Sequence, residues 1–128
     1  MGFDAVGIIS KNLSRTKEFY ELLGLQFQEV GGPEHIEATT KSGVRIMVDS
    51  QDLIKKINPS WKEANGSNIV LCFKFDSKEE VDTYHAKLST AGFKSVKEPW
   101  DAFWGQRYSS TLDPDNNQID LFADLNEG

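Results

Sequence analysis

Trp104 to Phe122, WGQRYSSTLDPDNNQIDLF, decides how the chain folds. Tyr108, Ser110 and Leu112 alternate with Arg107, Ser109 and Thr111 on the way in. Ile119 and Leu121 alternate with Gln118, Asp120 and Phe122 on the way out. Period-two alternation is the mark of a strand with two different faces. Asp113-Pro114-Asp115-Asn116-Asn117 lies between the two runs. Proline presets its own φ for a turn, and Asp and Asn tolerate left-handed backbone and bond their own main chain. The stretch therefore reads as a hairpin. The expected division puts Leu112, Ile119 and Leu121 under a helix. It leaves Arg107, Ser109, Thr111, Gln118, Asp120 and Phe122 on an open, wetter face.

Upstream, strands alternate with helices. Phe3 to Ile9 is apolar and β-rich. Asn12 or Ser14 caps a helix to about Leu23, with Phe19, Leu22 and Leu23 on its buried stripe and Gly24 as its stop. Strands follow at Leu25 to Val30, His35 to Thr40 and Val44 to Asp49. Gln51 to Ile57 reads as a short helix broken at Asn58-Pro59. After a loop-like stretch the pattern restarts. A strand runs from Asn68 to Phe75, with Ile69, Leu71, Phe73 and Phe75 on one face. A helix capped by Asp76 or Ser77 ends at Gly92, and a strand from Phe93 to Glu98 ends at Pro99. The order β-α-β-β-β occurs twice. The expectation is one α+β domain over residues 1–128 made of two tandem βαβββ modules, about 1–58 and 68–128, joined by a linker at 59–67. The two sheets together form a cupped mixed sheet around a cleft, with helices on the outer face.

Composition narrows the class. The 128 residues carry a net charge of −6, which argues against a general nucleic-acid binder. No apolar run approaches the ~18 residues of a membrane span. MGFDAVGIIS has neither a basic flank nor a cleavable core, so no signal peptide is expected, and Cys72 has no partner for an internal disulfide. A cytoplasmic protein is the expectation.

Three stretches resemble the vicinal oxygen chelate superfamily, which comprises glyoxalases, bleomycin-resistance proteins and extradiol dioxygenases. They are Asp4-Ala5-Val6-Gly7-Ile8, Phe19-Tyr20-Glu21-Leu22-Leu23-Gly24-Leu25, and Asp113-Pro114-Asp115-Asn116-Asn117-Gln118-Ile119-Asp120-Leu121. The last differs from the family's usual DPDGN by Asn116 in place of Gly. Trp104-Gly105-Gln106-Arg107 is similar to the stretch before the last hairpin in the resistance branch. The resemblance implies paired βαβββ modules and a homodimer. It also implies four metal-ligand positions, which fall on Ala5, Met47, Asn68 and Asp120. Alanine has no donor, a thioether is a poor ligand for Zn, Ni or Mn, and one carboxylate does not hold a catalytic metal. The reading is therefore no metal and no cofactor.

Candidate ligand-binding residues are Glu37, Arg45, Met47, Asp49, Asn68, Trp100, Phe103, Trp104, Arg107, Asp120 and Phe122. Trp100, Phe103 and Trp104 crowd one loop, where three large aromatics fit a pocket wall or a dimer contact at least as well as a core. For Arg45 and Arg107 two readings stand: a fork for a ligand carboxylate or phosphate, or internal pairing with Asp49 and Asp120. Asp120 is the weak candidate for a general base, against a pairing with Arg45 or Arg107. His35 and Glu37 read as a polar edge strand, His85 as solvated mid-helix, and Cys72 as a buried, inert thiol. The leading function is a metal-free small-molecule binder that sequesters an aromatic or cationic compound such as an antibiotic. The alternative is a glyoxalase-like lyase or a dioxygenase, with displaced ligands such as His35, Glu37 and Asp120, or with Asp120 as a metal-independent base.

Overall fold

Asn12 starts the first helix as its composition demands: its side chain accepts the Arg15 N–H over 3.1 Å, satisfying one of the donors a helix start leaves open. The computed structural model describes residues 1–64 and 68–126. Its contacts divide into two compact units, Met1–Ala64 and Asn65–Gly128.

In the first unit, β1 (Ala5–Ser10), α1 (Leu13–Leu22), β2 (Gln28–Glu29), β3 (His35–Thr39), β4 (Arg45–Ser50) and α2 (Gln51–Ile57) follow in order. The sheet order is β1-β4-β3-β2, with β1 parallel to β4 and the other pairs antiparallel. Alternation sorts the faces. Ile8 and Ser10, Ile36 and Ala38, and Ile46 and Val48 are buried, and Phe19 and Tyr20 of α1 are fully buried. Ser10 enters that core with its hydroxyl bonded to that of Thr16 at 2.8 Å, so neither polar group is stranded. The opposite face carries Ala5, Gly7 and Ile9 in register with Arg45, Met47 and Asp49. The expected strand at Leu25 to Val30 shrinks to Gln28–Glu29, since Phe27 is drawn into the core and Val30 turns out to solvent.

The second unit repeats the order: β5 (Val70–Lys74), α3 (Lys78–Thr90), β6 (Ser95–Ala102), β7 (Gln106–Leu112) and β8 (Gln118–Asp124), with sheet order β5-β8-β7-β6. Ser77 and Glu80 close a reciprocal capping box at the start of α3. Gly24 and Gly92, at φ +99° and +92°, end α1 and α3 in the left-handed conformation that disfavours any side chain. The chain is thus α+β: two four-stranded mixed sheets with α1 and α3 each laid against one of them.

Three expectations fail here. Pro99 does not end its strand. β6 continues to Ala102 with register shifts on either side of Lys97, and a proline is tolerated where the ladder is already interrupted on an edge strand. Val70 begins β5, leaving Asn68 outside the sheet and Ile69 71% exposed, so Ile69 does not share a buried face with Leu71 and Phe73.

In the hairpin the outgoing strand faces as expected, with Ile119 and Leu121 toward the helix, but the incoming strand is reversed. Leu112 pairs with Gln118, so Ser110 pairs with Asp120 and Tyr108 with Phe122, and these six share the open face. Arg107, Ser109 and Thr111 lie with Ala123, Leu121 and Ile119 on the helix side. There Ser109, Thr111, Ile119 and Leu121 are essentially inaccessible. The turn sets this register. The buried Asp113 carboxylate accepts the N–H groups of Asp115 and Asn117 and the Asn117 amide, each at 2.9 Å, and Asn116 takes φ +65°. Thr111 satisfies its buried hydroxyl on the Lys94 carbonyl at 2.8 Å.

Candidate functional site

The open face of the second unit carries a polar centre and a wall of rings. Asp120 is 7% exposed. It accepts hydrogen bonds from Tyr108 Oη at 2.7 Å, Ser110 Oγ at 2.7 Å and Gln118 Nε2 at 3.1 Å. All three donors are neutral, and none of these bonds cancels the carboxylate's charge. Burial, then the hydrogen bond to Asp120 and its charge, raises the Tyr108 phenol well above its ordinary value, so Tyr108 stays a donor at every working pH. Cys72 is paired with Asp120 across β5 and β8. It is exposed rather than buried, alternating with the half-buried Leu71 and Phe73, and desolvation followed by the Asp120 charge pushes its thiol up. An exposed thiol with a raised pKa is a poor nucleophile at neutral pH.

Rings extend outward from this centre. Tyr108 stacks on Phe122 at 5.8 Å and meets Trp104 edge-on at 5.3 Å. Trp104 in turn meets Trp100 at 5.5 Å and Phe103 at 4.9 Å, both edge-on. Lys97 Nζ lies 4.9 Å from the Trp100 ring centre. Phe103 is 91% exposed and Trp104 48%. Rings that touch one another yet remain open to solvent are surface available for another flat molecule.

The open face of the first unit carries a chain of charges instead. Arg45 bonds Asp4 at 2.6 Å and Glu37 at 2.5 Å. Glu37 bonds His35 Nε2 at 2.7 Å, and His35 Nδ1 bonds Asp49. The hydrogen bonds from Glu37 and then Asp49 raise the His35 pKa, and the His35 bond lowers that of Glu37. His35 and Glu37 therefore belong to a continuous ion-pair network rather than a plain polar edge.

The structure brings Glu37, Arg45, Met47 and Asp49 onto this first face. Trp100, Phe122 and Asp120 lie on the second, with Phe103 and Trp104 at the adjoining hairpin tip. It does not bring Arg107 there. Arg107 lies on the helix side, with Nε on Asp82 at 2.9 Å and Nη1 on Asp101 at 3.1 Å. Internal pairing is right in kind for both arginines, but the partners are Asp82 and Asp101 for Arg107, and Asp4 and Glu37 for Arg45. His85, expected in solvent, is 3% exposed on the inner face of α3, with Nε2 bonded to Ser95 Oγ at 2.8 Å, and burial lowers its pKa. Sequence reasoning missed Tyr108, Ser110 and Gln118. The signal was the turn itself: five residues between Leu112 and Gln118 place Ser110 opposite Asp120.

The residues at the four positions that the resemblance implies for a metal do not fit a divalent ion. Ala5 has no donor, Met47 offers a thioether, Asn68 stands exposed ahead of β5, and the Asp120 carboxylate is engaged by three hydrogen bonds. Among the described residues no three His, Cys, Asp or Glu side chains are grouped to hold a metal.

A family model matches residues 2–121. The chain belongs to the glyoxalase/bleomycin resistance protein/dioxygenase superfamily. Solved structures of this superfamily share the fold. A family enzyme from Burkholderia phytofirmans PsJN is 22% identical, with TM-score 0.86 over 98% of this chain and 100% of that one. A glyoxalase-related enzyme from Fulvimarina pelagi is 18% identical, with TM-score 0.82 over 97% and 88%. The lactoylglutathione lyase from Agrobacterium tumefaciens is 14% identical, with TM-score 0.70 over 95% and 92%. At these identities the likeness concerns the fold alone. No curated protein matches the chain. Among the described residues no helix is long and apolar enough to cross a membrane.

Proposed function

We propose that this superfamily member is a metal-free binder of a flat, cationic organic molecule, held on the open face of β5–β8. The observation that carries the reading is the run of touching rings from Phe103 through Trp104 and Tyr108 to Phe122, ending beside the Asp120 carboxylate. Rings supply stacking area with little entropy cost, a buried anion bonded only by neutral donors favours a positive guest, and the net charge of −6 attracts one from a distance. Sequestration needs affinity and no reacting group, so a donor set without metal-binding capacity is no handicap. Protection against a toxic planar compound such as an antibiotic, in a cytoplasmic homodimer, is the role that suits such a binder.

Tryptophan fluorescence titrated with proflavine, a planar cation, tests this, with anthracene-2-sulfonate as the planar anion. Saturable quenching by proflavine alone is expected, weakened about tenfold or more by Trp104→Ala and by Asp120→Asn. Equal affinity for the anion, or quenching that both variants leave intact, overturns it. So does about one Zn, Ni or Mn per chain with a raised melting point after dialysis.

A further inference from the structure

On the helix side of the second unit, away from the ring wall, a groove of about 470 Å³ is lined by residues of α3, β6 and β7. Asp82, His85, Ala86, Ser89 and Thr90 line it from one stripe of α3, facing Glu98 and Pro99 of β6 and Arg107 of β7. Two features of the chain create it. The register shift between Lys97 and Trp100 takes Glu98-Pro99 out of the ladder, and bulges of this kind re-aim side chains. Ala86 and Ser89 are too short to fill the space this leaves.

The groove is acidic. Glu98, with an 81% exposed side chain, reaches to 3.7 Å from His85 Nε2. His85 forms the buried floor, and its Nδ1 has no partner among the described residues. Burial favours the neutral ring, so the floor does not cancel the Glu98 charge at neutral pH. The Arg107 charge is already shared between Asp82 and Asp101. Two carboxylates, Asp82 and Glu98, thus line the groove with one guanidinium, whose other partner Asp101 lies outside the lining, and Ser89 and Thr90 add hydroxyl acceptors while Ala86 and Pro99 form an apolar strip.

We infer that this groove is a second binding site, for a small alkyl amine cation, with the ammonium on Glu98 and Asp82 and the chain over Ala86 and Pro99. It is independent of the ring wall on the other face of the sheet.

The experiment is an NMR titration of the intact ¹⁵N-labelled protein with 1,5-diaminopentane, with 1,5-pentanediol as the uncharged control. Saturable shifts are expected along Asp82 to Thr90, at Glu98 and at the His85 ring, with Kd on the order of 1 mM. Glu98→Gln, at an exposed position where the fold is not at stake, weakens binding at least fivefold. Ala86→Leu fills the groove and does the same, while Trp104→Ala leaves binding unchanged. Four results overturn the inference: no saturable shift, equal binding of the diol, unchanged affinity in both groove variants, or shifts centred on Trp104 and Tyr108.

Discussion

Ser110 and Asp120 face each other directly across β7 and β8, and the Ser110 hydroxyl donates to the Asp120 carboxylate over 2.7 Å. This pairing holds the carboxylate still while Tyr108 and Gln118 approach it from the sides. Asp120→Ala strands all three donors on a partly buried face. Chemical denaturation should show a loss of about 2 kcal/mol, and thermal melting a drop of roughly 7 °C. Asp120→Asn keeps the shape and one acceptor and should cost about 1 kcal/mol or less.

Cys72 reports on the same charge. Its thiol is held up by desolvation and then by Asp120. Wild-type protein should react with a disulfide reagent at pH 8 more slowly than a free thiol of ordinary pKa. Asp120→Asn removes a negative charge, lowers the thiol pKa and should speed the reaction severalfold. An unchanged rate would show that Asp120 does not reach Cys72.

The two histidines should titrate on opposite sides of the ordinary value. His35 is raised by Glu37 and Asp49, and His85 is lowered by burial. Ring proton shifts followed by NMR between pH 4 and 9 give both directly. The stability consequences have opposite signs. His35 stabilises fully below the unfolded value near 6.5, and its contribution is lost as pH rises through its higher folded value. His85 stays neutral in the fold while the unfolded chain takes up a proton, so its effect is a loss of stability as pH falls below about 6.5. His85→Gln should flatten the acid limb of a stability–pH curve, and His35→Gln the limb at higher pH.

Two phenylalanines separate packing from display. Phe19 is fully buried, and Phe19→Ala should cost about 3–5 kcal/mol. Phe103 is 91% exposed, and Phe103→Ser should change stability by no more than about 0.5 kcal/mol while weakening proflavine binding. A Phe103 variant that melts much earlier would place that ring in the core.

Both main helices were legible because their signals are local: Asn12 or Ser14 and Asp76 or Ser77 at the starts, Gly24 and Gly92 at the ends, and apolar spacing between. The strand alternation was legible too. On the outgoing strand the faces were also legible, but on the incoming strand they were not, because Leu112 pairs with Gln118 only through the Asp113 turn, and a one-residue difference exchanges the faces. That exchange sent Arg107 to the helix side and hid Tyr108 and Ser110 from the sequence reading. His85 was misread for a related reason. Its neighbours in sequence are polar, but its partner Ser95 and its cover come from β6 and β7. The ring cluster was visible as composition, and its order required the register.

In each unit the first strand lies parallel to the last, β1 beside β4 and β5 beside β8. During synthesis Ala5–Ser10 therefore has no neighbour to bond until Arg45–Ser50 has left the ribosome, and Val70–Lys74 waits in the same way for Gln118–Asp124. Each half of the nascent chain carries an apolar strand with its ladder open for nearly the whole of its emergence. Open strand edges of this kind are where chaperones act and where aggregation begins.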